Sequence, residues 1–240
     1  MSTPRQSLVR QPSGQSSLRE MPLASRTMRL ITLATIALSL SLSGCGILPK
    51  QESLRIIAPQ VHVAPDPSWP QVAWQLTVAH PTANDMLDSR RIAVNPAPGQ
   101  IQVYKGVAWD YSVPDIVQTA IVETFEDSGK ILAVGRQSGT LHADYALQLD
   151  MREYQAVYRN PASPPEVTVT INAKLVDNIS SRVVASRTFR EVVPASATSV
   201  SAVAQAFDSA LTAFVHDLVG WTLASGEQAR MKTDEAAPKH

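Results

Sequence analysis

Between Val72 and Ala79 the chain alternates, with Val72, Trp74, Leu76 and Val78 on one side and Ala73, Gln75, Thr77 and Ala79 on the other. That period of two predicts a half-buried strand. The same period recurs at Tyr145, Leu147, Leu149 and Met151 within a run from Ala143 to Tyr158. It returns at Val167, Val169, Ile171, Ala173 and Leu175, set against Thr168, Thr170, Asn172 and Lys174. The polar turn Asp177-Asn178-Ile179-Ser180-Ser181 then leads into a return strand, Val183 to Val193, so these segments predict an antiparallel meander with one wet face. Shorter strands are predicted at Leu54–Ala58, Leu87–Val94, Gln100–Tyr104 and Ile131–Val134. Between the first two, Pro59, Pro65, Pro67 and Pro70 lack amide donors and mark a connection rather than a sheet interior.

Twice the period changes to that of a helix. Ile116, Val117, Ala120, Ile121 and Phe125 recur by threes and fours, Ser112 is placed to cap, Pro114 suits the first turn and Gly129 the stop, which predicts a helix over 113–128. From Ser199 to Leu223 a second stripe runs through Val203, Phe207, Ala210, Leu211, Phe214, Leu218 and Trp221. The charged segment 226–240 has no apolar stripe and is expected to be a disordered tail. The fold class predicted is α+β: a mainly antiparallel sheet with two amphipathic helices on one face, filling a single domain at 54–225.

The longest apolar run, Leu30–Leu42, belongs to none of these elements. Arg26 and Arg29 precede it, and Ser43 and Gly44 follow it with little bulk before Cys45, the only cysteine. Basic flank, short apolar core and small residues are the parts of an export signal. Leu42-Ser43-Gly44-Cys45 resembles a bacterial lipobox, which implies lipidation of Cys45 and removal of the extension and signal peptide, 1–44. An anchor helix is the weaker reading, because Gly44, Gly46 and Pro49 interrupt the ~20 apolar residues a span requires. Residues 45–53 would then be the lipidated cysteine and its tether. The true start of the chain stays open between Met1, Met21 and Met28.

Composition narrows the chemistry. The whole chain is neutral, with 21 basic and 21 acidic side chains. Losing 1–44 removes Arg5, Arg10, Arg19, Arg26 and Arg29 against Glu20 alone, which leaves an acidic balance unsuited to nucleic acid. With Cys45 acylated no thiol remains for a disulfide, a thiolate site or a nucleophile. His62, His80, His142, His216 and His240 have no metal-ligand spacing, and Ser128-Gly129-Lys130 lacks the upstream glycine of a phosphate loop. Asp144, Asp150 and Glu153 are read as a solvated strand face rather than an acid–base set. No cofactor, no metal and no catalytic residue are expected. Trp69, Trp74, Tyr104, Trp109 and Tyr111 gather in the N-terminal half; Trp74 and Trp109 suit the core, while Trp109 and Tyr111 ahead of the first helix are also candidates for docking a partner.

Taken in order, the lipobox, LDSRRI at 87–92, Val107-Ala108-Trp109 before a helix with Pro114 and Ser128-Gly129, ADYALQLDMREY at 143–154, VTINAKLVD at 169–177, ASRTF at 185–189 and Trp221-Thr222 are similar to the ABC-type transport auxiliary lipoproteins. These are the paraquat-inducible protein C-like lipoproteins that accompany MCE-type intermembrane transport systems. The resemblance implies a periplasmic domain anchored in the outer membrane, with no catalytic set. Its partners would be the MCE-domain subunit and ABC transporter of a lipid transport system, with homo-oligomers a further expectation. An assembly lipoprotein partnering an outer-membrane barrel is the alternative.

Mass spectrometry of the protein from its native membranes is expected to find a mature chain that begins at an acylated Cys45. Cys45→Ala should leave the precursor uncleaved.

Overall fold

In chain order the elements are β1 (Arg55–Ile57), β2 (Gln75–Val78), β3 (Arg91–Ala97), β4 (Gln100–Trp109), α1 (Val113–Ser128), β5 (Ala133–Arg136), β6 (Tyr145–Val157), β7 (Glu166–Asp177), β8 (Arg182–Pro194) and α2 (Val200–Ala236). The computed structural model describes residues 53–236 apart from 139, 140 and 161. The signal peptide, Cys45 and the tether up to Glu52 lie outside the described residues.

The strand β6 organises the sheet. On one edge it pairs antiparallel with β7 from Tyr145↔Asp177 to Val157↔Glu166, and β7 pairs likewise with β8, which has no other sheet partner among the described residues. On the opposite edge β2 and β3 lie end to end, both parallel to β6, at Leu76↔Tyr145 and Val94↔Ala156, with a Thr82–Asp150 bridge between them. Beyond them β2 carries β5 in parallel, while β3 carries β4 antiparallel and β4 carries β1 in parallel. The sheet is therefore mixed, with antiparallel pairing along its long strands. The parallel pairs arise where α1 and the loops return the chain to the same end, a crossover that alternation alone does not reveal.

On β7 the predicted inward face holds and the outward face holds only in part. Val167, Val169, Ile171, Ala173 and Leu175 are fully buried and Lys174 faces water, but Thr168 and Thr170, expected on the wet face, are buried as well, with the Thr170 hydroxyl donating to Glu153. Against the buried face α2 covers β7 and β8, α1 covers β2 and β5, and the two helices touch. The predicted span of α1 is also the observed one. Ser112 Oγ accepts the Asp115 N–H, Pro114 occupies the first turn, and Gly129 closes the helix in the left-handed region at φ 60°.

Three expectations are corrected. Leu87–Arg90 is not strand: Asn84 Oδ1 accepts the N–H groups of Met86 and Leu87 at 3.1 Å each, a local side-chain turn that delays β3 to Arg91. Pro96 does not end β3, because it sits at a register shift between Val94 and Ala97 where no ladder donor is required. Nor does the second helix stop near Leu223 ahead of a disordered tail. It continues as α2 to Ala236, about 55 Å in all.

Packing explains that continuation. Gly226, where the tail was expected to begin, is a contact: a Cβ there would stand 2.5 Å from Trp74 Cζ2, and one at Gly220 would stand 2.6 Å from Trp69 Nε1. Each glycine lets an indole lie directly on the helix backbone. The Tyr145 hydroxyl donates to the Gly226 carbonyl at 3.2 Å, fixing the helix to the start of β6. Past this point Glu227, Gln228, Ala229, Arg230 and Met231 are strong helix formers, and Arg230 pairs with Glu227 at 3.1 Å.

Gly226→Ala is expected to lower stability by about 1–3 kcal/mol, since overpacking against a buried indole outweighs the gain of up to about 1 kcal/mol in helix propensity. Thermal unfolding by circular dichroism measures it; a higher melting temperature would mean that the indole yields.

Candidate interaction site

The two aromatic candidates ahead of α1 go to different places. Trp109 ends β4 with its side chain inward, and the residue is 0% exposed. Its ring stands edge-on to Phe207 of α2 at 5.3 Å and to Tyr154 of β6 at 6.4 Å, while Tyr154 and Phe207 stack at 4.8 Å. This aromatic cluster fastens α2 to the sheet and takes Trp109 out of any docking surface. Burial pushes the Tyr154 phenol well above its ordinary range, with the Asp208 carboxylate adding to the effect, so it remains a neutral core group.

Two residues later Tyr111 is 65% exposed. It stands on the link between β4 and α1, where its N–H donates to Asp110 Oδ1 at 3.0 Å and Ser112 Oγ donates to Asp115 Oδ2 at 2.6 Å. The other Asp115 oxygen meets His80 Nε2 at 3.3 Å. From β5, Arg136 reaches across α1, with Nε donating to Gln118 Oε1 at 3.1 Å and Nη2 to Thr119 Oγ1 at 2.7 Å. Gln118 in turn donates to the Val78 carbonyl at 3.1 Å, so the guanidinium is held by a side chain itself fixed to β2.

Tyr111, Asp115, Gln118, Thr119 and Arg136, together with Val61 and Glu123, line an open groove of about 770 Å³ along α1. One wall is the extended segment 58–64, which follows β1. Val61 and Val63 turn toward the core, and the Gln60 N–H donates to Asp208 Oδ1 of α2 at 3.1 Å. Burial pushes the Asp208 carboxyl upward, and the Gln60 N–H draws it partly back. An exposed tyrosine beside one arginine and several carboxylates suits the grip of a protein segment, in which the aromatic ring supplies area and the charges supply register.

Elsewhere the polar residues separate. Asp144 Oδ2 accepts the Gln75 N–H at 2.7 Å, Asp150 pairs with Arg152 at 3.3 Å, and Glu153 accepts the Thr170 hydroxyl at 2.5 Å, so the three carboxylates have different partners. His216 meets Asp66 and Asp217 at 3.4 and 3.1 Å. Among the described residues no three potential metal ligands converge. Asp177 Oδ1 accepts the Ser180 N–H and hydroxyl, which holds its carboxyl below the ordinary range and makes Asn178-Ile179-Ser180 turn chemistry. Arg136 and the segment 58–64 were not among the predicted site residues. The proline run was the available signal for the second; nothing local marked the first.

A family model described as ABC-type transport auxiliary lipoprotein component matches residues 54–219. The crystal structure of protein XCC0632 from Xanthomonas campestris is 46% identical and superposes with a TM-score of 0.70, covering 73% of this chain and 99% of that one. An uncharacterized protein, bll6063, from Bradyrhizobium diazoefficiens is 29% identical over 148 residues, 62% of this chain; the match spans only 39% of that relative's length. A solved structure of another uncharacterized protein, 10% identical with a TM-score of 0.56, covers 70% of this chain and 97% of its own and shares the fold alone.

Trp109→Ala is expected to cost about 3–5 kcal/mol by opening the aromatic cluster. Tyr111→Ala should stay within about 0.5 kcal/mol of the parent. Urea titration of the two variants separates core from surface.

Proposed function

The chain belongs to the ABC-type transport auxiliary lipoprotein family over residues 54–219, and on that premise we propose that it is a periplasmic adaptor held in the outer membrane by an acylated Cys45. There it assists an inner-membrane ABC transporter and its MCE-domain subunit in moving lipid between the two membranes. The observation that carries this reading is the juxtaposition of a lipobox cysteine with the family domain, which begins only nine residues after it. Gly46 follows the cysteine where many inner-membrane lipoproteins carry aspartate, and this favours the outer membrane. Among the described residues no helix is long and apolar enough to cross a membrane. Two or three chains anchor stably where one does not.

The transport subunit docks in the groove beside Tyr111. An exposed ring on a capped helix start is pre-organised, and aromatic anchors of this kind carry much of the energy of an interface.

Tagged protein extracted in mild detergent should bring down the ATPase, permease and MCE subunits. Tyr111→Ala should reduce their recovery at least tenfold at unchanged expression. Recovery of an outer-membrane barrel in their place would favour the assembly-lipoprotein reading, and recovery of neither would refute the adaptor.

A further inference from the structure

The groove beside Tyr111 does not end with the first turns of α1. A second hollow of about 350 Å³ adjoins it, lined by Val63, Thr124 and Asp127 and sharing Val61, Ala120 and Glu123 with the first. The two make one trough between α1 and the segment 58–64. Its floor is small and apolar, since Ala120 is buried and Val61 and Val63 pack against the core. Along the α1 wall Asp115, Thr119, Glu123 and Asp127 step by four, which sets them on one ridge of the helix over about 18 Å. That length accommodates about five residues of extended chain.

The charge on this ridge is one-sided. The helix α1 carries Asp115, Glu123, Glu126 and Asp127 and no lysine, arginine or histidine. His80 meets Asp115, His62 borders the second hollow, and Arg136 donates to the neutral side chains of Gln118 and Thr119. Among the described residues Glu123, Glu126 and Asp127 enter no ion pair. Glu123 and Asp127 are like charges one turn apart, which repel each other. Glu126 and Asp127 stand in the last turn, where the helix end already presents negative charge and no basic side chain answers them. Such charge works against the helix that bears it, and a local rule broken on an exposed ridge points to a demand from outside the fold.

We propose that the trough receives an extended segment of a partner protein that carries lysine or arginine: its apolar side chains lie on Val61, Val63 and Ala120, and its cations meet Glu123 and Asp127. The inference rests on the docking of a transport subunit beside Tyr111, and it adds the chemistry of the segment that binds. The Tyr111 ring supplies contact area toward one end, and the two carboxylates fix the register at the other. Cations seated there offset both the repulsion between Glu123 and Asp127 and the unfavourable helix end.

The test compares tagged forms of the full lipoprotein extracted from native membranes in mild detergent: the parent, Glu123→Gln combined with Asp127→Asn, Glu126→Gln, and Tyr111→Ala. The double variant should recover the MCE subunit about tenfold less than the parent, whereas Glu126→Gln, whose side chain does not line the trough, should stay within about twofold of it. Purified, the double variant should melt about 1–4 °C higher than the parent, because like charges are removed from the ridge and the helix end, so its loss of partner is not a loss of fold. Unchanged recovery by the double variant beside a loss with Tyr111→Ala would overturn the inference and leave the docking reading standing. No loss with any variant would remove both. An equal loss with Glu126→Gln would assign the effect to net charge and overturn the trough as its seat. Loss of a second copy of this chain, with the MCE subunit retained, would give the trough to self-association and overturn the inference as well.

Discussion

The closeness of α2 to the sheet governs the rest of the domain. A helix with ordinary side chains facing a sheet stands off by the width of those side chains. At Gly220 and Gly226 that width is missing, and the indoles of Trp69 and Trp74 fill the space. Earlier on α2, ahead of both glycines, lies the cluster of Trp109, Tyr154 and Phe207, and Phe189 of β8 stands edge-on to Phe214 and to Trp221. One helix thereby engages β4, β6 and β8 as well as the segments that carry Trp69 and Trp74. Strands that enter the sheet by different routes are held to a common partner.

Rigidity of this kind fits the positional role proposed for the domain. The strand β6 is about 43 Å long and has β1, β4 and the β3–β4 hairpin toward one end and the β7–β8 hairpin at the other. The outer edge of β8, unpaired among the described residues, is guarded against chance pairing by Arg182, Arg187 and Arg190, and Arg187 lies over the Phe189 ring at 4.6 Å. Groove and outer β8 edge are thus carried on one body at fixed separations.

Local chemistry was legible in the sequence wherever it was decided locally. The bounds of α1 follow from Ser112, Pro114 and Gly129, whose backbone preferences act within a turn of each residue. The inward face of β7 follows from its strict alternation, whereas the burial of Thr168 and Thr170 on the other face does not. What the sequence concealed depends on distant partners. The parallel pairing of β2 and β3 with β6 is set by crossovers, Pro96 is tolerated because its own strand shifts register there, and Gly226 stays helical because Trp74 occupies the space of its missing side chain. Trp109 and Tyr111 sit two residues apart on one strand end and read alike. The arrival of Phe207 from α2, almost a hundred residues later, makes one a core residue and leaves the other free.

Native-state hydrogen exchange on the mature protein tests this account most directly. If α2 is the common partner of the sheet, the amides of α2 from Val203 to Leu223 should exchange only through global unfolding, with the same free energy as those of β6 and β7. Release of α2 at markedly lower free energy than β6 and β7 would contradict it, and would mean that the sheet holds together without the helix.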